Sequence, residues 1–236
     1  MTRVDAERAA FRAAPDRDAY LRSGSHLPGP RANLELLAAA AEEVEPAWAR
    51  RWADHAPGTD PTDVFLICVG LVALGRLLAA GDETVLSTLR RRANDAEWRI
   101  REAVAIGLQR LGDERLDRLA QIAADWSVNG TPLEARAAVA AVAEPRLLRD
   151  GRLIEPALAV LDAATRQVMH AADRRADDVR VLRQALGYAW SVVVAADAGR
   201  VWDAFQKWAA VDDPDIRWIV AENLKKNRLR RLNLTP

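Results

Sequence analysis

The sequence is poor in several residue types that carry chemistry. It has one cysteine, three histidines, two tyrosines and three phenylalanines in 236 residues. A single cysteine excludes an intramolecular disulfide framework and a cysteine-rich zinc site. The histidines, His26, His55 and His170, stand far apart, and none has a metal-binding spacing to a second histidine or a glutamate. His55 suits a helix C-terminus, where an imidazole favours the dipole. The 12 glycines are scattered, so no glycine-rich phosphate loop is present. There is no nucleophile elbow, and neither a Ser-His-Asp nor a Cys-His set is visible. Neither a metal nor a cofactor is expected. Long apolar runs are missing as well. The most apolar stretch, residues 64–78, contains Gly70, Gly75 and Arg76 and falls short of the ~18 apolar residues that span a bilayer. It reads as a core helix buried nearly all round. Residues 1–8 are charged and lack the apolar core of a signal peptide, which points to a cytoplasmic location. Neither sign of charge is in excess: 34 Lys plus Arg balance 34 Asp plus Glu. A globally basic nucleic-acid binder is not expected, although a local basic patch is compatible with that balance.

What is abundant favours helix. Alanine makes up about a fifth of the chain, and leucine and arginine are frequent. Only Lys207, Lys225 and Lys226 are lysines, and this arginine bias with high alanine suggests a GC-rich bacterial genome. Strand formers are few, so an all-α fold is expected. Residues 1–30 read as an N-terminal arm or short helix followed by a Pro/Gly-rich linker, and residues 31–236 as one helical domain. Residues 32–55 place Leu34, Leu37, Ala41, Val44 and Trp48 near one face, with a bend or split at Pro46.

Beyond residue 60 the chain repeats. Asp213-Pro214-Asp215-Ile216-Arg217 opens a helix after a tight turn, and Asp95-Ala96-Glu97-Trp98-Arg99-Ile100-Arg101 has a similar layout. Weaker copies surround Phe65, Arg136 and Arg180. The anchors 65, 101, 136, 180 and 217 leave room for two helices in each interval, the size of an α-solenoid repeat. Ile100, Val104, Leu108 and Leu111 form one apolar stripe, and Ile216, Ile219, Val220 and Leu224 another. A turn aspartate, then Val or Ile, then Arg, then a helix rich in small residues resembles the HEAT-repeat family. The resemblance covers about residues 60–230. It implies a right-handed α-solenoid of about five HEAT-like helix pairs. It also implies a polar ladder, for which Asp95, Arg101, Asp213 and Arg217 are the best candidates and Arg136 and Arg180 the next.

Three further features bear on function. Cys68, inside the most apolar helix, is expected to be buried and unreactive. Eight tryptophans outnumber the other aromatics, and the plain expectation is that they seal gaps between Ala-rich helices. A sharper reading is a groove of indoles that stacks on bases or on a partner. One HEAT-like branch resembles alkylated-DNA glycosylases, which implies tryptophans and a carboxylate on a basic surface. Trp98 with Glu102, and Asp125 beside Trp126, are the candidates for that role. The run Lys225, Lys226, Arg228, Arg230 and Arg231 is either a solvated helix-end cap or an anion contact. The function expected from the whole is a non-catalytic scaffold or adaptor that binds a protein partner on a concave helical surface. The alternative is a nucleic-acid-binding or alkylated-DNA-glycosylase-like protein. No membrane association is expected.

Overall fold

The computed structural model describes residues 2–232, and every regular element among them is helical. The chain divides into two compact units, Met1–Leu111 and Gly112–Pro236. None of the described helices is long and apolar enough to cross a membrane.

The first unit holds α1 (Arg3–Ala13), α2 (Arg17–Gly24), α3 (Leu34–Glu43), α4 (Pro46–Asp54), α5 (Asp63–Ala79), a single 3-10 turn Glu83–Val85, and α6 (Leu86–Ala93). Most of α7 (Trp98–Glu114) also belongs to it. Side-chain caps set several starts. Thr2 and Asp5 form a reciprocal capping box on α1, Asp16 accepts from Ala19 N–H at α2, and Asn33 accepts from Leu36 N–H at α3. Pro46 splits the helix expected over residues 32–55. It occupies the first turn of α4, where its missing N–H leaves no intrahelical bond unmade. His55 closes α4 at its C-cap, with its Nε2 3.7 Å from the Asp63 carboxylate.

The segment expected to be an arm or a short helix forms two helices. Phe11 of α1 and Leu21 of α2 are fully buried, with α1 packed on α3 and α2 on α5. Polar contacts fix them in place. Arg12 clasps Glu43 at 2.6 and 2.8 Å, Arg22 reaches Asp63, and the Trp52 indole N–H donates to Asp18 at 2.9 Å. Helix α5 is the core of this unit and is buried on nearly every face. Two of its glycines admit neighbouring backbone. A Cβ at Gly70 would lie 2.4 Å from the Ala53 nitrogen of α4, and one at Gly75 would lie 2.0 Å from the Gly107 carbonyl oxygen of α7.

The second unit holds α8 (Leu116–Asn129), α9 (Pro132–Val142), α10 (Ile154–Met169), α11 (Asp177–Ala196), α12 (Ala198–Ala209), α13 (Pro214–Leu224) and α14 (Asn227–Arg230). Each of α8, α10 and α12 touches the next, as does each of α9, α11 and α13. Partners within the pairs α8/α9, α10/α11 and α12/α13 also pack together. Trp126, Trp190 and Phe205 fill the interior with almost no exposure. Trp190 satisfies its indole N–H on Thr165 Oγ at 3.1 Å. The five repeat anchors all fall within the first five residues of α5, α7, α9, α11 and α13.

Candidate partner-binding cleft

The first unit carries a cleft of about 630 Å³ bounded by the loop after α2, by α3, by α5 and by the first turns of α7. Its loop is built by local hydrogen bonding. His26 adopts a left-handed backbone (φ 62°), Gly29 N–H returns to His26 C=O at 2.9 Å, and Asn33 N–H closes onto Ser25 C=O at 3.0 Å. The buried Asn33 side chain bonds Gly24 C=O at 3.1 Å while its oxygen caps α3. Arg99 of α7 holds the loop from across the cleft by donating to Gly29 C=O at 3.2 Å. A second tie between the same walls joins Arg110 of α7 to Glu42 of α3 at 3.5 Å.

The lining is apolar with a mixed-charge rim. Leu37, Phe65, Cys68 and Ala103 are buried, whereas Leu34 and Trp98 are 61% and 52% exposed. Those two exposures mark the site, because large apolar side chains elsewhere in the first unit are mostly covered. Arg31, Arg99, Glu35 and Glu102 supply two charges of each sign. The Arg99 guanidinium lies 4.5 Å from the Trp98 ring centroid. Glu102, one helical turn from Trp98, is half-buried in the cleft wall. Cys68 donates weakly to Arg99 C=O at 3.4 Å. Burial pushes its thiol up to about 12, so it packs as a small apolar group at neutral pH.

The other glycosylase-like candidates do not join this pair. Asp125 and Trp126 belong to the second unit. Trp126 is 1% exposed, and Asp125 accepts from the Asn129 amide at 2.9 Å. Of the eight tryptophans, Trp52, Trp126, Trp190 and Trp208 are buried, Trp48, Trp202 and Trp218 are half-buried, and Trp98 is exposed. Among the described residues, no cluster of three or more His, Cys, Asp or Glu side chains is arranged to hold a metal ion.

Several ladder candidates have polar partners in or next to their own turns. Arg101 donates to the Asp95 and Ala96 carbonyls at 2.6 and 2.9 Å, and Arg217 pairs with Asp212. Arg180 pairs with Asp177 at 3.2 Å, and Arg136 is half-buried on α9. Asp95 receives Arg92 at 2.8 Å. Asp213 caps α13 and receives Arg174 at 2.6 Å, a bond reaching back 39 residues. Further longer-range polar links come from residues that the repeat pattern did not single out. Arg92 ties α6 to the Ala53 and His55 carbonyls, Arg183 ties α11 to Asp215, and the buried Asn223 bonds Ser191 N–H and Leu186 C=O at 2.8 Å each. Asn223 carries a readable signal, since an amide on the apolar Ile216-Ile219-Val220 helix must find partners when buried.

The C-terminal basic run is partly engaged. Lys225 pairs with Glu222 at 2.5 Å, Lys226 sits 5.7 Å from the Tyr188 ring centroid, and Arg228 stacks there at 4.5 Å while donating to the Tyr188 hydroxyl. Arg230 and Arg231, which follow the buried Leu229, are exposed.

Comparison with protein-family models, with curated proteins and with solved structures returns no match. The functional reading therefore stands on the residues and their geometry.

Proposed function

We propose that this chain is a right-handed, HEAT-like α-solenoid of the bacterial cytoplasm that acts as a non-catalytic scaffold or adaptor for a protein partner. Two features support the solenoid. The anchors start alternate helices, and most long-range side-chain bonds span 31–41 residues, about one repeat, as in Arg50–Asp82, Arg76 to Val44 C=O, Arg146–Asp113 and Asn223 to Leu186 C=O. The single observation that carries the binding function is the cleft itself. Leu34 and Trp98 are left exposed over a buried apolar floor, within a rim of mixed charge, the composition of a protein-binding hot spot. The test is bait capture from the native host with the wild-type chain and a Leu34→Glu/Trp98→Ala variant. A partner that copurifies with the first and not with the second is expected. Capture that is identical for both baits refutes the cleft as the docking surface.

A second reading is favoured by one observation only: Trp98 is exposed one turn from Glu102 in the same cleft. A base-excision enzyme of the alkylated-DNA-glycosylase type would use such a pair to stack on an extruded base and stabilise a cationic sugar. The balance of Arg31 and Arg99 against Glu35 and Glu102 speaks against it, since phosphate binding needs net positive charge. Release of a methylated base from duplex DNA, abolished by Glu102→Gln, would establish this reading over the adaptor.

A further inference from the structure

The second unit carries a separate surface whose charge is not balanced. Residues 223–232 contain five cations, Lys225, Lys226, Arg228, Arg230 and Arg231, and no acid. The fold brings a sixth cation to them from far away in sequence. Arg149, exposed in the loop between α9 and α10, and Arg228 line the same recess of about 350 Å³. Among the described residues, Arg149, Arg228, Arg230 and Arg231 have no carboxylate partner, in contrast to the paired arginines of both units. The walls between Arg149 and Arg228 are aliphatic: Leu148, Val192, Ala195 and Ala196. Tyr188 and Val192 are one helical turn apart on α11, so the Arg228–Tyr188 stack borders this recess.

We infer that this surface binds an acidic peptide segment of the partner, its carboxylates on Arg149, Arg228 and the 230–231 pair and one aliphatic side chain in the recess. The inference rests on reading the chain as a partner-binding module and names the chemistry of the segment bound. Arginine forks engage carboxylates in a bidentate manner, and an unpaired cation cluster is complementary to an acidic chain. Peptide is favoured over nucleic acid by two observations. The Tyr188 ring already carries Arg228 and Lys226, so it is occupied as a platform for a base. The walls of the recess between the two arginines are aliphatic as well, which suits a leucine side chain and offers no further polar side chain to a base edge or a phosphate.

The probe is a fluorescein-labelled peptide, Glu-Glu-Leu-Glu-Glu-Leu-Glu-Glu, titrated against the whole chain by anisotropy. Binding is expected at low ionic strength and should weaken as salt rises from about 0.05 to about 0.3 M. Arg149→Ala and Arg228→Ala should each weaken it about tenfold, the value of one charge-assisted pair. Replacing both leucines of the peptide by serine should weaken it as well. Arg175→Ala, at an exposed cation of a different loop, should bind as wild type does. Arg149 has no side-chain partner to lose, so that variant keeps its fold, as an unchanged melting curve would verify. The inference is overturned if the peptide does not bind, if binding ignores both arginines, or if a single strand of about twelve thymidines binds more tightly at the same salt. Partner capture that depends on Leu34 and Trp98 without peptide binding here sinks this inference alone. Failure of both sinks the adaptor reading beneath it.

Discussion

Replacing Gly75 by alanine adds one methyl group where α5 crosses α7. An ideal Cβ there stands 2.0 Å from the Gly107 oxygen, 2.5 Å from its carbon and 2.7 Å from its Cα. All three atoms are backbone, so no side chain can rotate away. Ordinary contact begins near 3.4 Å, so the two helices must separate by more than an ångström at their crossing. Separation loosens the packing around Leu71, Leu74, Leu78 and Leu108, all of them buried at 1% exposure or less. Overpacking of this kind costs about 1–3 kcal/mol, and a backbone-to-backbone clash belongs at or above the upper end. Alanine recovers about 1 kcal/mol of helix propensity. The net expectation is a loss of about 2 kcal/mol, or about 4–8 °C in Tm for a chain of this size. Gly199→Ala is the matched control. Gly199 is exposed in the first turn of α12, and its added Cβ meets only the Asp197 carboxylate, at 3.5 Å. The same chemical change there should be neutral or stabilising by up to about 1 kcal/mol. Urea and thermal unfolding of both variants, followed by circular dichroism, measure the contrast. Equal effects at the two sites would refute the close crossing of α5 and α7.

Val104 of α7 has no exposed surface, so Val104→Asp should cost about 3 kcal/mol or more through an unpaired buried charge, and an unchanged denaturation midpoint would contradict its placement. Asn223→Asp keeps the shape but replaces the donor to the Leu186 and Ile219 carbonyls with an acceptor. A loss of about 2–4 kcal/mol is expected, and a stability equal to wild type would mean that the amide does not clamp α11 to α13. Ellman's reagent should find Cys68 unreactive at pH 8 in the native chain and reactive in denaturant, because the folded thiol ionises only near about 12. The linkage follows from the same shift. The unfolded thiol ionises from about pH 9 while the folded one keeps its proton, so the contribution of Cys68 to stability is intact below pH 9 and falls between 9 and 12. Rapid native labelling would show the helix to be open at that point.

Periodicity made the helical class and the helix starts legible, because a buried face at 3.6-residue spacing is written locally. The stripe of Ile100, Val104, Leu108 and Leu111 is buried throughout, and so is almost all of α5 around Cys68. Pro46 gave the α3/α4 break for the same local reason. The helices of residues 3–24 were harder to read, since most of their surface is polar and they are held by Arg12, Arg22 and Asp18 reaching residues that lie 31–41 positions away. The cleft was half legible. The spacing of Trp98 and Glu102 singled them out, but their shared wall with Leu34 and Arg31 depends on a loop 70 residues earlier, held by Arg99. Charge in the sequence did not reveal which arginines bridge helices. Arg217 sits at the repeat offset and pairs with Asp212 of its own turn, while Arg92, near the end of α6, and Arg174, in the loop before α11, reach neighbouring helix ends.

The 70-residue span of the Arg99 to Gly29 bond also orders events during synthesis. Most other side-chain links can form once another 31–41 residues have left the ribosome, so each helix can be secured soon after it emerges. The loop after α2 cannot, because its clasp arrives with α7. At about 5–20 residues per second, it waits roughly 4–14 s with Leu27, Pro30 and Leu34 uncovered by their opposite wall. During that interval residues 25–34 lack their opposite wall and are open to a chaperone or a protease. The cleft is thus completed late in the synthesis of that unit.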